Sequence, residues 1–324
     1  MPTVKAASCE SERTWGDSMA KALTAVALGL FDGVHLGHRA VLDAVCAQRA
    51  NGLTPSVFTF EPESVLRKSS GSAGFIYGMA EKSEILRGCG IENICVPHFD
   101  DVCGLSGEEF VKNILRSEMN AAFVSCGRDF RFGFKASCGV DELRKFGKIY
   151  GFEVDTVDDV MSGGEKVSSS IIRRLISEGD IKKADRFLAQ PYMILKEVVH
   201  GAALGHTIGF PTINQLFSKG QLVPKFGVYA SMTKTDGGWK RSMTNIGIKP
   251  TVNYSGTPLA ETFITDFSGD VYGRVLQVVL TDFIRPEMKF PSVDALKKQI
   301  SADITAIKSM QHSCNAHHLI TILL

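Results

Sequence analysis

At 324 residues the chain is long enough for two domains, since single domains commonly run to about 100–200 residues, and its 44% hydrophobic and 22% charged content is that of a globular protein. With 36 Lys and Arg against 35 Asp and Glu the formal net charge is +1, which leaves no basic field to gather nucleic acid and points to small ligands. No run approaches the roughly 20 apolar residues of a membrane span, and the N-terminus lacks the basic-then-apolar order of a signal peptide.

From residue 25 to about 182, short apolar runs alternate with amphipathic stretches. AVALGLF (25–31) reads as a buried strand, and the helix after it carries Val41, Leu42, Val45 and Cys46 at helical spacing. SVFTFEP is a second strand, EKSEILRGCG a helix closed by glycine, NICVPHF a strand, and SGEEFVKNILRSE a helix opened by a serine cap. AAFVSCG and FEVDTVDDV are further strands, with a helix over 140–150 between them. This rhythm predicts a parallel sheet flanked by helices. After about residue 190 the texture changes to period-two runs broken by turn signals such as TDGGW and FSGDVYG. FGVYASMTK, SMTNIGI, ETFITDF and VLQVVLTDFIR read as antiparallel strands, and 292–308 as a closing helix. The expected domains are 20–185 and 190–310, joined near ADRFLAQPYM (184–193). The eight cysteines (9, 46, 89, 95, 103, 126, 138, 314) form no C-x-x-C pair, so reduced thiols in the cytoplasm are expected. Residues 1–20 and the apolar ending HHLITILL carry no functional reading.

Four stretches carry chemistry. In GLFDGVHLGH (29–38), His35 and His38 stand three apart at a helix start, where unpaired N–H groups and the dipole favour an anion. Gly33 and Gly37 give a phosphate room to approach the backbone, and Asp32 is placed to cap or orient the turn. VSSSIIRRL (167–175) sets serines at a helix start with Arg173 beyond, a second phosphate-holding arrangement. CGRDFRFG (126–133) pairs Phe130 and Phe132 beside Arg128 and Asp129, a set suited to bracketing an aromatic ring. In LGHTIGFPTINQ, Thr212 and Asn214 are two apart on an extended segment behind Gly209 and Pro211, oxygen donors for a hard cation and its phosphates. Glu261 shares by alternation the face of Phe263 and Phe267, where a carboxylate is a candidate general base. A turn with polar decoration, or a strand-end glutamate bent into water, accounts for the last two equally well without context.

Taken in order, GLFDGVHLGH, FTFEPE, CGRDFRFG, VSSSIIR, GFPTINQ, NIGIKPTV, ETFITDFSGDVYG and RPEMKF resemble the motifs of the prokaryotic bifunctional riboflavin kinase/FMN adenylyltransferase family, over residues 25 to 310. The resemblance implies an N-terminal α/β domain of nucleotidyltransferase type, with a Rossmann-like parallel sheet, and a C-terminal antiparallel flavokinase-like β-barrel with a terminal helix. It implies ATP held by Gly29, Phe31, Asp32, Gly33, His35, Gly37, His38, Ser169, Ser170 and Arg173 in the first domain, and by Gly209, Pro211, Thr212 and Asn214 in the second, with Mg²⁺ on Thr212 and Asn214. Phe60, Arg128, Asp129, Phe130, Phe132 and Arg285 are expected against flavin, with Glu261 and His38 catalytic. The implied partners are riboflavin, FMN, FAD and ATP. Leu30, Arg128 and His206 depart from the family pattern, His206 exchanging a permanent charge for a titratable one. Two other readings stay open: an adenylyltransferase for another small phosphorylated acceptor, and a non-catalytic flavin-binding protein.

Overall fold

The structure, a computed structural model, describes residues 22–66, 74–201, 204–248 and 256–310, with the backbone alone at Leu204 and His206. Residues 1–20, the C-terminal HHLITILL, Cys9, Cys314, the KPTV stretch (249–252) and the His206 side chain lie outside it. The chain divides into two compact units, one ending at Ser169 and the next beginning at Ser170.

The first unit is the expected parallel sheet. Strands β1 (Thr24–Leu28), β2 (Thr54–Phe58), β3 (Asn93–Cys95), β4 (Ala121–Gly127) and β5 (Glu153–Val157) pair in the order β3-β2-β1-β4-β5. Every neighbouring pair is parallel. The central strand β1 is buried along its whole length, as a strand covered on both faces requires. Helix α1 (Leu36–Ala47) turns Val41, Leu42 and Val45 inward, and α2 (Met79–Gly88) buries Glu81, Lys82, Ile85 and Leu86. Ser106 caps the next helix reciprocally with Glu109 as expected, but from Phe110 to Glu118 the winding widens to π turns. Phe110, Val111, Ile114 and Leu115 stay buried there, in a core shared with Leu28, Phe58 and Val124 and with Leu143 of α3 (Val140–Tyr150). The chain runs β1, β2, β3 to one side and then returns to β4 on the other, so the order reverses between β1 and β4. That reversal opens a crevice at the strands' C-terminal ends, where open α/β sheets bind ligands.

The second unit begins within α4 (Ser169–Glu178). Strands β6 (Met193–Glu197), β7 (Thr212–Leu216), β8 (Gly227–Thr235), β9 (Gly238–Ile248), β10 (Pro258–Ile264) and β11 (Val275–Arg285) pair antiparallel in the order β6-β11-β8-β9-β10-β7. The sheet's two ends meet where the Val199 N–H donates to the Asn214 carbonyl at 2.9 Å, nearly closing a barrel and leaving little free edge. Its fully buried hydroxyls pair with one another: Ser231 with Thr244 at 2.8 Å, Thr244 with Thr262 at 2.9 Å, and Thr233 with Ser242 at 2.6 Å. Helix α5 (Val293–Ser309), capped by Ser292, closes the unit.

Candidate functional sites in the two units

The loop from β1 to α1 is held in an uncommon backbone shape. Phe31, Gly33 and Val34 have φ of 50°, 82° and 38°, and for a β-branched residue such as Val34 that is strained. Phe31 and Val34 are almost wholly buried, so packing holds the strain in place at the crevice. Gly29 is needed because a side chain there would press on the Phe31 ring at 3.2 Å. Asp32 does not cap the helix. Its carboxylate accepts the Ile76 N–H at 2.8 Å, and its carbonyl accepts the Ser169 hydroxyl at 2.8 Å, joining Ser169 to the motif within the first unit.

The cap is made by the histidines themselves. The His38 N–H donates to His35 Nδ1 at 3.2 Å, the His35 N–H donates to His38 Nδ1 at 3.4 Å, and the rings stack with centroids 3.6 Å apart. Gly37 serves this stack, since a Cβ there would lie 3.2 Å from the His35 ring. Because each Nδ1 accepts a hydrogen bond, each ring carries its proton on Nε2 and is neutral. Burial lowers His35 to about 4, the Asp129 carboxylate pulling weakly the other way. His38 falls well below its usual value, first through burial, with the neighbouring His35 imidazole and the Lys82 ammonium further disfavouring a second proton. The two histidines are therefore neutral N–H donors at the helix start and not cations, since two stacked, desolvated rings cannot both be cations.

Lys82, which sequence reasoning passed over, supplies a charge directly behind this loop. Its side chain is 2% exposed, and Nζ donates to the carbonyls of Leu30 at 3.0 Å and Phe60 at 2.9 Å and to the Thr59 hydroxyl at 3.3 Å. A lysine in register with Ile85 and Leu86 on the buried stripe was the available signal. The Leu30 side chain is 50% exposed, so the departure from the family pattern there falls at the surface. Ser170 and Arg173 lie on α4 in the second unit, Arg173 one turn beyond Ser169.

Phe60, Phe58, Phe110, Phe132 and Phe130 form a continuous run of rings with successive centroids 5.2 to 5.9 Å apart. Phe130 and Phe132 stack on each other at 5.9 Å and 15°, which leaves no space for a third ring between them. The expectation that they bracket an aromatic is corrected: Phe132 belongs to the core, and the half-buried Phe130 is the face left over. Arg128 pairs with Asp158 at 3.2 Å in an open cleft of about 440 Å³ that also takes in Asp129, Phe130, Arg131 and Arg144.

In the second unit the strand register makes the site. Glu261 lies directly opposite Asn214 of β7 on one side and Asn245 of β9 on the other, and Thr212 lies opposite Phe263. Directly opposed residues share a face, so Thr212, Asn214, Asn245 and Glu261 form one polar group. Gly201 admits Asn214, since a Cβ there would lie 2.5 Å from its amide nitrogen. Gly209, at φ 87°, turns the chain ahead of the exposed Pro211. Phe263 meets the ring of Phe210 edge-on at 5.7 Å. The expected apolar face is corrected on two counts: Phe267 lies beyond the end of β10, and the buried residues of that strand are Leu259, Ala260, Thr262 and Ile264. Glu261 therefore points away from the hydroxyl-lined interior and towards the side partly covered by Phe210. Asn245, missed in the sequence, donates to Glu287 at 3.3 Å, and Glu287 lies so close over Gly247 that a side chain there would collide with it. Arg285 is held in an ion pair: its Nε and Nη2 approach Asp303 Oδ2 at 2.9 and 2.8 Å, and Gln299 binds the other carboxylate oxygen at 2.8 Å.

Comparison with known proteins follows the same division. Residues 17–171 match the family described as FAD synthetase, and residues 188–311 the family described as riboflavin kinase. The chain is 34% identical over 282 residues to a bifunctional riboflavin kinase/FMN adenylyltransferase of Listeria monocytogenes, covering 86% of this chain and 89% of that one. It is 35% identical over 280 residues to the protein so named in Escherichia coli K12, covering 85% and 89%. A crystal structure described as the macrolide-efflux protein from Streptococcus pneumoniae matches with a TM-score of 0.77 at 30% identity, over 90% of this chain and 96% of that one. Among the described residues no helix is long and apolar enough to cross a membrane.

Proposed function

Since the chain belongs to the bifunctional riboflavin kinase/FMN adenylyltransferase family, we propose that its second unit converts riboflavin and ATP to FMN and ADP, and that its first converts FMN and ATP to FAD and pyrophosphate. In the first reaction Glu261 takes the proton of the ribityl 5′-hydroxyl as that oxygen attacks the γ-phosphorus, and ADP leaves. The observation that carries this assignment is the row Asn214–Glu261–Asn245, which sets one carboxylate between two amides on a single face. Thr212 and Asn214 offer hard oxygen donors on that face, a set that fits Mg²⁺ shared with ATP phosphates, and the bound ion would neutralise phosphate charge. Gly209 and Pro211 shape the approach to Thr212.

In the second reaction the FMN phosphate attacks the α-phosphorus of ATP and pyrophosphate leaves. Phosphate is already a nucleophile, so the protein positions it and stabilises charge rather than removing a proton. The Nε2–H groups of His35 and His38 serve as donors at the start of α1, with Gly29, Phe31, Asp32, Gly33 and Gly37 shaping the loop and Ser169, bonded to the Asp32 carbonyl, adding a hydroxyl to the phosphate contacts. Phe130, with Arg128 and Asp129, offers a half-buried ring face to the flavin, and Phe60 and Phe132 back it. Cys46, Cys89, Cys126 and Cys138 are thiols, in keeping with a cytoplasmic setting. Incubation with riboflavin and MgATP, followed by chromatography, should yield fluorescent FMN and then FAD. Untouched riboflavin would refute the kinase assignment, and accumulation of FMN alone would refute the adenylyltransferase assignment.

A further inference from the structure

The neutrality of the histidine pair leaves GLFDGVHLGH without a cation of its own, and Lys82 is a cation bonded to that loop through the Leu30 carbonyl. Lys82 rises from α2 and is buried under the C-terminal ends of β1 and β2. Its three N–H bonds are met by three neutral oxygens, two of them carbonyls, and among the described residues no carboxylate forms an ion pair with it. Burying an ammonium whose hydrogen-bond partners are all neutral is costly, and although the Asp32 and Glu63 carboxylates act on it through space, burial still outweighs them, so a further anion at the loop would share its field favourably. The bonds also engage the Leu30 and Phe60 carbonyls, which follow the ends of β1 and β2.

We propose that Lys82 is the fixed positive charge of the adenylyl-transfer unit, a positioning residue that draws the ATP polyphosphate onto the β1–α1 loop without touching it. The proposal rests on the adenylyltransferase reading of that unit. Asp32 faces Lys82 from the loop, Glu63 from the short helix Pro62–Leu66, and His38 from α1. Burial brings the ammonium down to about 8, with Asp32 and Glu63 pulling it back up. In the free protein the charge therefore fades over the range from pH 7 to 9.5, where the phosphates of ATP and FMN are already ionised.

The test compares wild-type full chain with Lys82→Met, which keeps length and loses charge. FAD formation from FMN is followed at varied MgATP, with riboflavin phosphorylation in the second unit measured in parallel. Lys82→Met is expected to raise the KM for ATP in FAD formation about tenfold at pH 7.5, a change of about 1.4 kcal/mol, with a smaller effect on kcat. Wild-type KM should climb as pH passes 8, and in Lys82→Met it should stay level. Should the variant not fold, the wild-type profile decides alone: a KM for ATP that is flat from pH 7 to 9.5 overturns the proposal. Equal KM values and parallel pH profiles in the two proteins overturn it as well. Wild type that makes FMN but no FAD overturns the adenylyltransferase reading and the proposal together, and is told apart by the missing product.

Discussion

Glu261 and His38 stand in different units, and their replacement separates the two reactions. Glu261→Gln keeps the hydrogen-bonding shape and removes the base, so riboflavin phosphorylation should fall by at least about a hundredfold while FMN is still converted to FAD. His38→Ala removes one phosphate donor and half of the reciprocal cap, so FMN should accumulate from riboflavin. Rates measured from each starting flavin check both, and parallel loss of the two activities in either variant contradicts the assignment. The same histidines make a pH statement. Both are lowered from 6.5, His35 to about 4, so between those values the unfolded chain holds more protons than the folded one. Their contribution to stability is complete above pH 6.5 and is lost as the pH falls towards 4. Thermal unfolding of the first unit should thus move to lower temperature between pH 7 and pH 5, and nucleotide affinity should not strengthen over that interval as it would for cationic imidazoles.

At the level of elements, the Arg285–Asp303 pair joins the end of β11 to α5. The two side chains are 15% and 5% exposed, so the pair is desolvated and its carboxylate depends on the guanidinium. Arg285→Leu leaves Asp303 buried with only Gln299, and should cost about 3 kcal/mol in the denaturant unfolding of the second unit. A loss of flavin turnover with unchanged stability would instead return Arg285 to the substrate. The barrel's buried hydroxyls show a similar economy: Ser231, Thr244 and Thr262 satisfy one another across neighbouring strands and need no water. This pairing explains why period-two alternation misjudged the surroundings of Glu261. Where polar side chains line the inside, polarity no longer distinguishes inside from outside.

For the molecule as a whole, Glu261 in one unit and His38 in the other predict a diffusible intermediate. Neither the Glu261→Gln nor the His38→Ala protein should make FAD from riboflavin, but a mixture should, because FMN released by the second becomes substrate for the first. Chromatography of the mixed reaction checks this. Absence of FAD from the mixture, with each variant retaining its remaining activity, would mean that FMN is not exchanged in solution.

The sequence by itself determined the order of elements, the change from parallel to antiparallel texture near residue 190, and the two motif strings, because strand and helix periods and turn residues are properties of neighbours along the chain. It also brought Thr212, Asn214 and Glu261 forward by type and spacing. The tertiary structure alone decided what those groups are physically. A lysine charge hidden beneath Leu30 and an Arg285 held by Asp303 arise from residues distant in sequence, whereas the stacked histidines and the closed pair of phenylalanines are near neighbours whose burial and ring geometry only the fold sets. Desolvation and partner geometry set protonation and facing, and neither is written in local spacing.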